Sequence, residues 1–208
     1  MKISPLNLCV LSLGLLFAGC GGFIPPPQPD PTHYYILTGP LPASSDAAVT
    51  GHLRLGLKSI DLASYLRTPD LIVRQGTNEL VLQDYARWGE PLEAGISRIL
   101  RERLRAAPGV ERVYTQPFPL DADRDYDVAI SVLRCEGGPA AGHGRAAQFA
   151  ATIEITTAGA DARVVARRTF VASPASWDGS DFAQLAALLS ADVDALGQEI
   201  VAALPASP

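Results

Sequence analysis

Cysteine is scarce in this chain of 208 residues. Cys9, Cys20 and Cys135 are the three present, too few and too scattered for a disulfide framework or a zinc site. Lysine is scarcer still, limited to Lys2 and Lys58, so arginine carries almost all of the positive charge. A basic surplus is missing as well. The formal net charge is −5, which argues against nucleic acid as a partner, because such binders need a basic patch. What the chain does have is apolar content, with 48% hydrophobic against 19% charged residues. That is enough to fill a core and too much for a disordered chain. Its length suits one domain, or two small ones at most.

The N-terminus has the three-part pattern of an export signal. Met1-Lys2 supplies a positive start and an apolar run follows from Leu6 to Phe17. At about 12 residues this run is too short for a bilayer span, which needs roughly 20. The next residues, Phe17-Ala18-Gly19-Cys20, resemble the bacterial lipobox. In that motif the signal is cut between the positions held here by Gly19 and Cys20, and the cysteine thiol receives a diacylglyceryl group. The resemblance implies a signal peptide over 1–19, a lipidated Cys20 and fatty-acyl chains such as palmitate. Phe17 stands where the motif prefers Leu. Each buried methylene adds ~0.8 kcal/mol of membrane affinity, so the three chains usual on such a cysteine anchor stably where one would not. Gly21 replaces the Asp that favours inner-membrane retention in lipoproteins of enteric bacteria, which points to the outer membrane. The mature chain would also lose Lys2, making its net charge one unit more negative, and would keep Cys135 as a lone thiol. That thiol reads as a packed small hydrophobe.

Residues 20–33 read as a spacer. Five prolines between Pro25 and Pro31 favour polyproline II at ~3.1 Å per residue, reaching up to ~40 Å from the lipid surface. From residue 34 to 208 the pattern is that of one domain. Alternating apolar residues predict strands at Tyr34–Leu37, Leu53–Lys58, Val110–Tyr114, Tyr126–Val132, Ala147–Ile155 and Ala162–Phe170. Leu71–Arg74 and Leu80–Leu82 flank Gln75-Gly76-Thr77-Asn78, a hairpin signal. The three late strands suggest an antiparallel meander. Pro91 is placed as a first-turn proline of a helix whose stripe is Leu92, Ile96, Ile99, Leu100 and Leu104, ended by Pro108-Gly109. A second helix starts at Asp181 with Gln184 as in a capping box, and its stripe runs from Phe182 through Leu185, Leu189, Val193, Leu196 and Ile200 to Leu204. The order strands, helix, strands, helix predicts a single α+β domain, with a mostly antiparallel sheet and two main helices packed on one face.

Catalytic patterns are missing. His33, His52 and His143 fall in expected spacer or loop positions without metal-ligand spacing, and there is neither a Gly-x-Ser-x-Gly elbow nor a His-Glu-x-x-His pair. Gly137–Gly144 is glycine-rich but lies between two strands, so it predicts a hairpin loop rather than a phosphate cradle before a helix. Asp121, Asp123, Asp125 and Asp127 lack the Gly and terminal Glu of a calcium loop and are expected to form a solvated acidic turn. We therefore expect no enzyme, no cofactor and no metal.

One stretch carries a specific resemblance. Tyr65-Leu66-Arg67-Thr68-Pro69-Asp70-Leu71-Ile72-Val73-Arg74 is followed by Asn78-Glu79-Leu80 and by Trp88-Gly89-Glu90-Pro91-Leu92. This resembles the PqiC family of ABC-type transport auxiliary lipoproteins, whose members carry a Tyr-Leu-x-x-Pro-x-Ile-Val-x-Arg-like stretch and Trp-Ala-Glu-Pro-Leu before a long helix. Tyr34–Leu37 and the terminal helix fit too, while Gly89 and Leu71 replace the commoner Ala and Ile. The resemblance implies a non-catalytic outer-membrane lipoprotein on the periplasmic side of a Gram-negative envelope. It would work with an MCE-domain protein and inner-membrane transporter components in moving lipids between membranes, so preserving membrane integrity. It leaves a homo-oligomer open. Tyr65, Arg67, Arg74 and Trp88 are the candidates for partner contact. Each also has a structural reading: Trp88 as a hydrophobic staple, Tyr65 as a core or rim aromatic, and Arg67 and Arg74 as a solvated strand edge. A scaffold lipoprotein of another envelope complex, or a stand-alone periplasmic lipid binder, fits the same anchor.

Overall fold

The computed structural model describes residues 28–39, 51–140, 142 and 144–205. The expected signal, its expected cleavage point at Gly19–Cys20 and the expected lipidation site Cys20 lie outside the described residues, as does His143. Contacts divide the chain into Met1–Pro31 and Thr32–Pro208, and the second unit holds all the described strands and helices.

The longest described strand, β7 (Tyr126–Pro139), organises the sheet. Along one edge it pairs antiparallel with β8 (Arg145–Thr157), from Tyr126 opposite Thr157 to Pro139 opposite Arg145. Its other edge is shared by three short strands, all parallel to it. These are β2 (Leu53–Leu57) beside Tyr126–Val128, β3 (Asp61–Leu62) beside Ser131–Val132, and β4 (Asp70–Gln75) at Gly137. Beyond β2 lies β6 (Val110–Thr115), and beyond β4 lie β5 (Glu79–Trp88) and then β1 (His33–Tyr35). The far edge of β8 carries β9 (Val164–Val171) and β10 (Ala175–Trp177).

The α+β class and the two helices stand, but the sheet is mixed rather than mostly antiparallel. Among the described residues five strand pairings are parallel and four are antiparallel. The reason is physical. Alternation specifies which face of a strand is buried, not which distant strand lies beside it or in what direction. Three of the four antiparallel pairings are hairpins between successive strands, and those were legible: β4–β5 turns at Gly76 (φ +71°), and β7–β8–β9 is the expected meander.

The helices are α1 (Leu92–Arg105) and α2 (Phe182–Ala203). Leu92, Ile96, Ile99, Leu100 and Leu104 of α1 are buried, as are Leu185, Leu189, Val193, Leu196 and Ile200 of α2. They share one apolar cluster with the inward residues of β7 and β8, among them Val128, Ile130, Val132, Phe149, Ile153 and Ile155. Each such side chain contributes roughly 1.5–3 kcal/mol when fully buried. The helices cross closely at Gly197, where a Cβ would sit 2.7 Å from Cγ of Arg103. Arg103 in turn bridges to Asp194 at 2.5 Å. Asp181 caps α2 by accepting from the Gln184 N–H at 3.0 Å.

Several local expectations are corrected. Pro91 is the N-cap of α1, with extended backbone (ψ 132°), so the helix begins at Leu92. His33 opens β1 rather than ending a spacer. Gly137, Gly138 and Pro139 belong to β7, which leaves a shorter hairpin turn than the glycines suggested. Asp121 and Asp123 are exposed as expected, but the acidic run is not simply solvated, since Asp125 and Asp127 are partly or fully buried and three of the four pair with arginine. Arg54 pairs with Asp123 at 2.6 Å and Asp125 at 3.3 Å, and the half-buried Arg124 pairs with Asp127 at 2.8 Å. On α2, Ser190 and Asp192 are buried although the stripe assigned neither inward. Ser190 Oγ accepts from Thr38 N–H at 2.9 Å and donates to the Ala186 carbonyl at 2.6 Å. Burial pushes the Asp192 carboxyl up to about 6. No helix among the described residues is long and apolar enough to cross a membrane.

Candidate functional site

Where β5 runs into α1, the motif residues build a groove. Trp88 ends β5 and is 7% exposed, so it forms the floor. Its N–H donates to the Pro69 carbonyl at 2.6 Å, and the Gly89 N–H donates to the Tyr35 carbonyl at 2.7 Å. These two bonds tie together β1, β5 and the segment that leads into β4. Pro91 stops the strand and sets the first turn of α1 by accepting from the Ala94 N–H at 2.9 Å. The resulting cavity, about 390 Å³, is walled by Leu66, Thr68, Pro69 and Leu92, with Arg67 and Glu93 on its rim. Glu90, also lining it, pairs with Arg98, whose guanidinium donates on to the Leu37 carbonyl at 2.9 Å. At Gly89 a Cβ would lie 3.2 Å from Cγ2 of Ile36 and 3.5 Å from the Tyr35 carbonyl. An alanine there would thus require only a small shift of Ile36.

The four sequence candidates separate into two places. Arg67 and Trp88 border the groove, and Arg67 is exposed and paired with Asp61 at 2.7 Å. Tyr65 and Arg74 instead meet over a residue that sequence reasoning missed, Glu136. Arg74 Nε donates to Glu136 Oε1 at 2.5 Å, and its Nη1 donates to the Thr77 carbonyl at 3.1 Å. The Glu136 side chain is 0% exposed and that of Arg74 16%. Arg74 is therefore neither a solvated edge nor free for an acidic partner, because its acid is within the chain. Tyr65, on a short 3-10 turn (Ser64–Leu66), places its ring 5.8 Å from the Arg74 guanidinium and donates its OH to the Leu133 carbonyl at 3.0 Å. Burial, with the Glu136 charge adding, pushes the Tyr65 phenol up to about 12. The hydrogen bond to Glu136 raises Arg74 further above its already high value. Glu136 was illegible because the expected strand stopped at Val132. The register shift between Val132 and Arg134 breaks the alternation that would have placed it.

Chemically, the arrangement is a shallow groove and, separately, a fixed ion pair. The one described thiol, Cys135, is buried, and burial pushes it far above the range in which a thiolate forms. Among the described residues no group of three or more His, Cys, Asp and Glu is placed to hold a metal ion.

Residues 35–201 match the sequence model of a family described as the ABC-type transport auxiliary lipoprotein component. The chain belongs to that family. It is the family that the Tyr65–Leu92 motifs resemble, and its name speaks for an auxiliary transport role in the cell envelope. Solved structures agree on the fold. A crystal structure of a Xanthomonas campestris protein of the DUF330 family superposes with a TM-score of 0.68 at 22% identity, covering 82% of this chain and 93% of that one. A second crystal structure, of an uncharacterized protein, gives 0.64 at 15% identity, covering 82% and 97%. At these identities they show that the auxiliary-lipoprotein fold is shared, and nothing more. No curated protein matches the chain.

Proposed function

We propose that this auxiliary lipoprotein is held at the outer membrane by lipid on Cys20 and serves an MCE-type intermembrane lipid transport system as a non-catalytic docking subunit. In this reading residues 1–19 are the removed signal, 20–32 the anchor and spacer, and 33–208 the auxiliary domain, whose first strand opens at His33. Its support is the Phe17-Ala18-Gly19-Cys20 motif, the Gly21 that follows it and the family to which the chain belongs. The observation that carries the docking role is the groove itself. The family's Trp-x-Glu-Pro-Leu motif builds an apolar depression at the surface and leaves Glu93 on its rim without an ion pair among the described residues. Such a depression fits an apolar anchor residue of a partner, flanked by a basic one. Membrane integrity would then depend on this contact.

Crosslinking in intact cells, followed by affinity purification, tests the proposal. The native chain is expected to recover an MCE-domain protein, and Glu93→Arg to lose it while still folding. Cys20→Ser should abolish palmitate labelling and release the protein from membranes. Recovery without any MCE-domain protein overturns the reading.

A further inference from the structure

Arginine is the main cation here, and most of it is neutralised. Of the fifteen arginines, eleven form ion pairs. The four without one among the described residues are Arg112, Arg134, Arg145 and Arg163, and Arg112 lies over the Tyr114 ring at 5.9 Å. Arg145 differs from the others in its setting, because it lines a cavity of about 410 Å³ together with Arg74, Gly76, Pro139, Ala140 and Gly144. The cavity forms because β4 and β7 meet in parallel at Val73 and Gly137. That pairing sets the turn of the β4–β5 hairpin beside the turn of the β7–β8 hairpin. Two arginines thereby line one depression that no described carboxylate lines.

Arg74 is constrained at its guanidinium and Arg145 along its stem. Arg74 is fixed by Glu136 at 2.5 Å and by the Thr77 carbonyl at 3.1 Å. The stem of Arg145 lies across Gly179, where a Cβ would come within 2.6 Å of its Cδ and 3.2 Å of its Nε. With φ at +92° as well, that position suits glycine alone. The neighbouring acid, Asp178, forms no ion pair with Arg145 among the described residues. Its Oδ1 accepts from the N–H groups of Ser180 at 2.7 Å and Asp181 at 2.8 Å, leading into α2. The Arg74–Glu136 pair is neutral as a whole, so the pocket keeps the single positive charge of Arg145 in a protein whose net charge is −5.

We infer that the cavity between the two hairpin turns binds a phosphate oxyanion, with Arg145 supplying the charge-assisted contact and Arg74 the second guanidinium wall. Planar guanidinium forks match phosphate oxygens, and a preplaced fork loses less freedom on binding than a mobile one. A free phosphate and the phosphodiester of an anionic lipid headgroup share this chemistry. The site stands on the cavity and is independent of the transport role.

The test uses the full chain in detergent, with the arginine Nε–H signals followed by NMR and the Arg145 signal assigned by its loss in Arg145→Gln. Inorganic phosphate and dihexanoyl phosphatidylglycerol are the two probes, and affinities of the variants are taken from the remaining signals around the pocket. A saturable shift of the Arg145 signal is expected, with Arg145→Gln weakening binding about tenfold or more. Arg163→Gln, at another unpaired arginine, should change it by less than about twofold. Saturation at lower concentration by the lipid assigns a headgroup, and the reverse order assigns free phosphate; either supports the site. No saturable shift with either probe, or equal weakening by the two variants, overturns it. Arg145 makes no side-chain bond among the described residues, so an unchanged melting temperature for Arg145→Gln separates lost binding from lost fold.

Discussion

Replacing Arg74 by methionine keeps most of the stem and removes the charge that faces Glu136. The Glu136 side chain is 0% exposed and its Oε1 lies 2.5 Å from Arg74 Nε, so water cannot take over when the guanidinium leaves. Removing one partner of a buried pair costs about 3–5 kcal/mol, mostly because the other charge is left unpaired. The contact to the Thr77 carbonyl goes too, at about 0.5–1.5 kcal/mol. Since about 1 kcal/mol shifts the melting temperature of a domain this size by about 2–4 °C, Arg74→Met should melt at least about 6 °C lower. Glu136→Met should cost less, because Arg74 keeps 16% exposure and a long stem with which to reach solvent. The double variant is the decisive one. Replacing a whole buried pair by apolar residues is often neutral, so it should recover to within about 1–2 kcal/mol of the native chain. Urea unfolding followed by circular dichroism and tryptophan fluorescence measures all four corners of the cycle. A single-variant cost below about 1 kcal/mol, or a double variant no more stable than the sum of the singles, would refute the assignment of Arg74–Glu136 as a buried, mutually dependent pair.

Three further outcomes follow from the packing. Burial lifts the Asp192 carboxyl from 3.8 to about 6, so the fold carries a penalty that is fully present above that value and disappears as pH falls through it towards 3.8. Asp192→Asn should therefore stabilise by up to about 3 kcal/mol at pH 8, with the gain shrinking towards pH 4; a pH-independent difference in urea midpoints would count against this. At Gly137 a Cβ would lie 2.5 Å from Cζ3 of Trp177, so Gly137→Ala should cost about 1–3 kcal/mol by overpacking and alter Trp177 emission. Cys135 is buried and its thiol is held protonated by burial, with the Asp192 charge adding. It should react with a thiol reagent only as fast as the protein opens, and promptly in urea, whereas rapid native labelling would show that β7 is accessible.

Sequence legibility divided by distance along the chain. The two helices were readable because a stripe of period 3.6 is a local signal and the caps lie next to it, as Asp181 and Gln184 show. The hairpin at Gly76 and the β7–β8–β9 meander were readable for the same reason. The parallel neighbours of β7 were not, since β2, β3 and β4 reach it from about 60 to 75 residues away, as in Leu55 opposite Tyr126 and Asp61 opposite Ser131. Within the candidate site, Trp88 and Arg67 were singled out by motif and proved to border one groove. Glu136 was invisible because the register shift at Leu133 moved it off the expected alternation. The acidic run was visible, but Arg54, the partner of Asp123 and Asp125, was not, because it comes from a different strand.

By itself the sequence determined the family through Tyr65–Leu92, the α+β class and the hydrophobic face of each helix. All of these depend on residues near one another in the chain. Tertiary structure alone decided the mixed direction of the sheet, the pairing of Arg74 with Glu136, and the meeting of Arg74 and Arg145 at one cavity. Each of those depends on which strands lie side by side. That choice is made by burial summed over the whole core, through contacts that no local pattern of residues encodes.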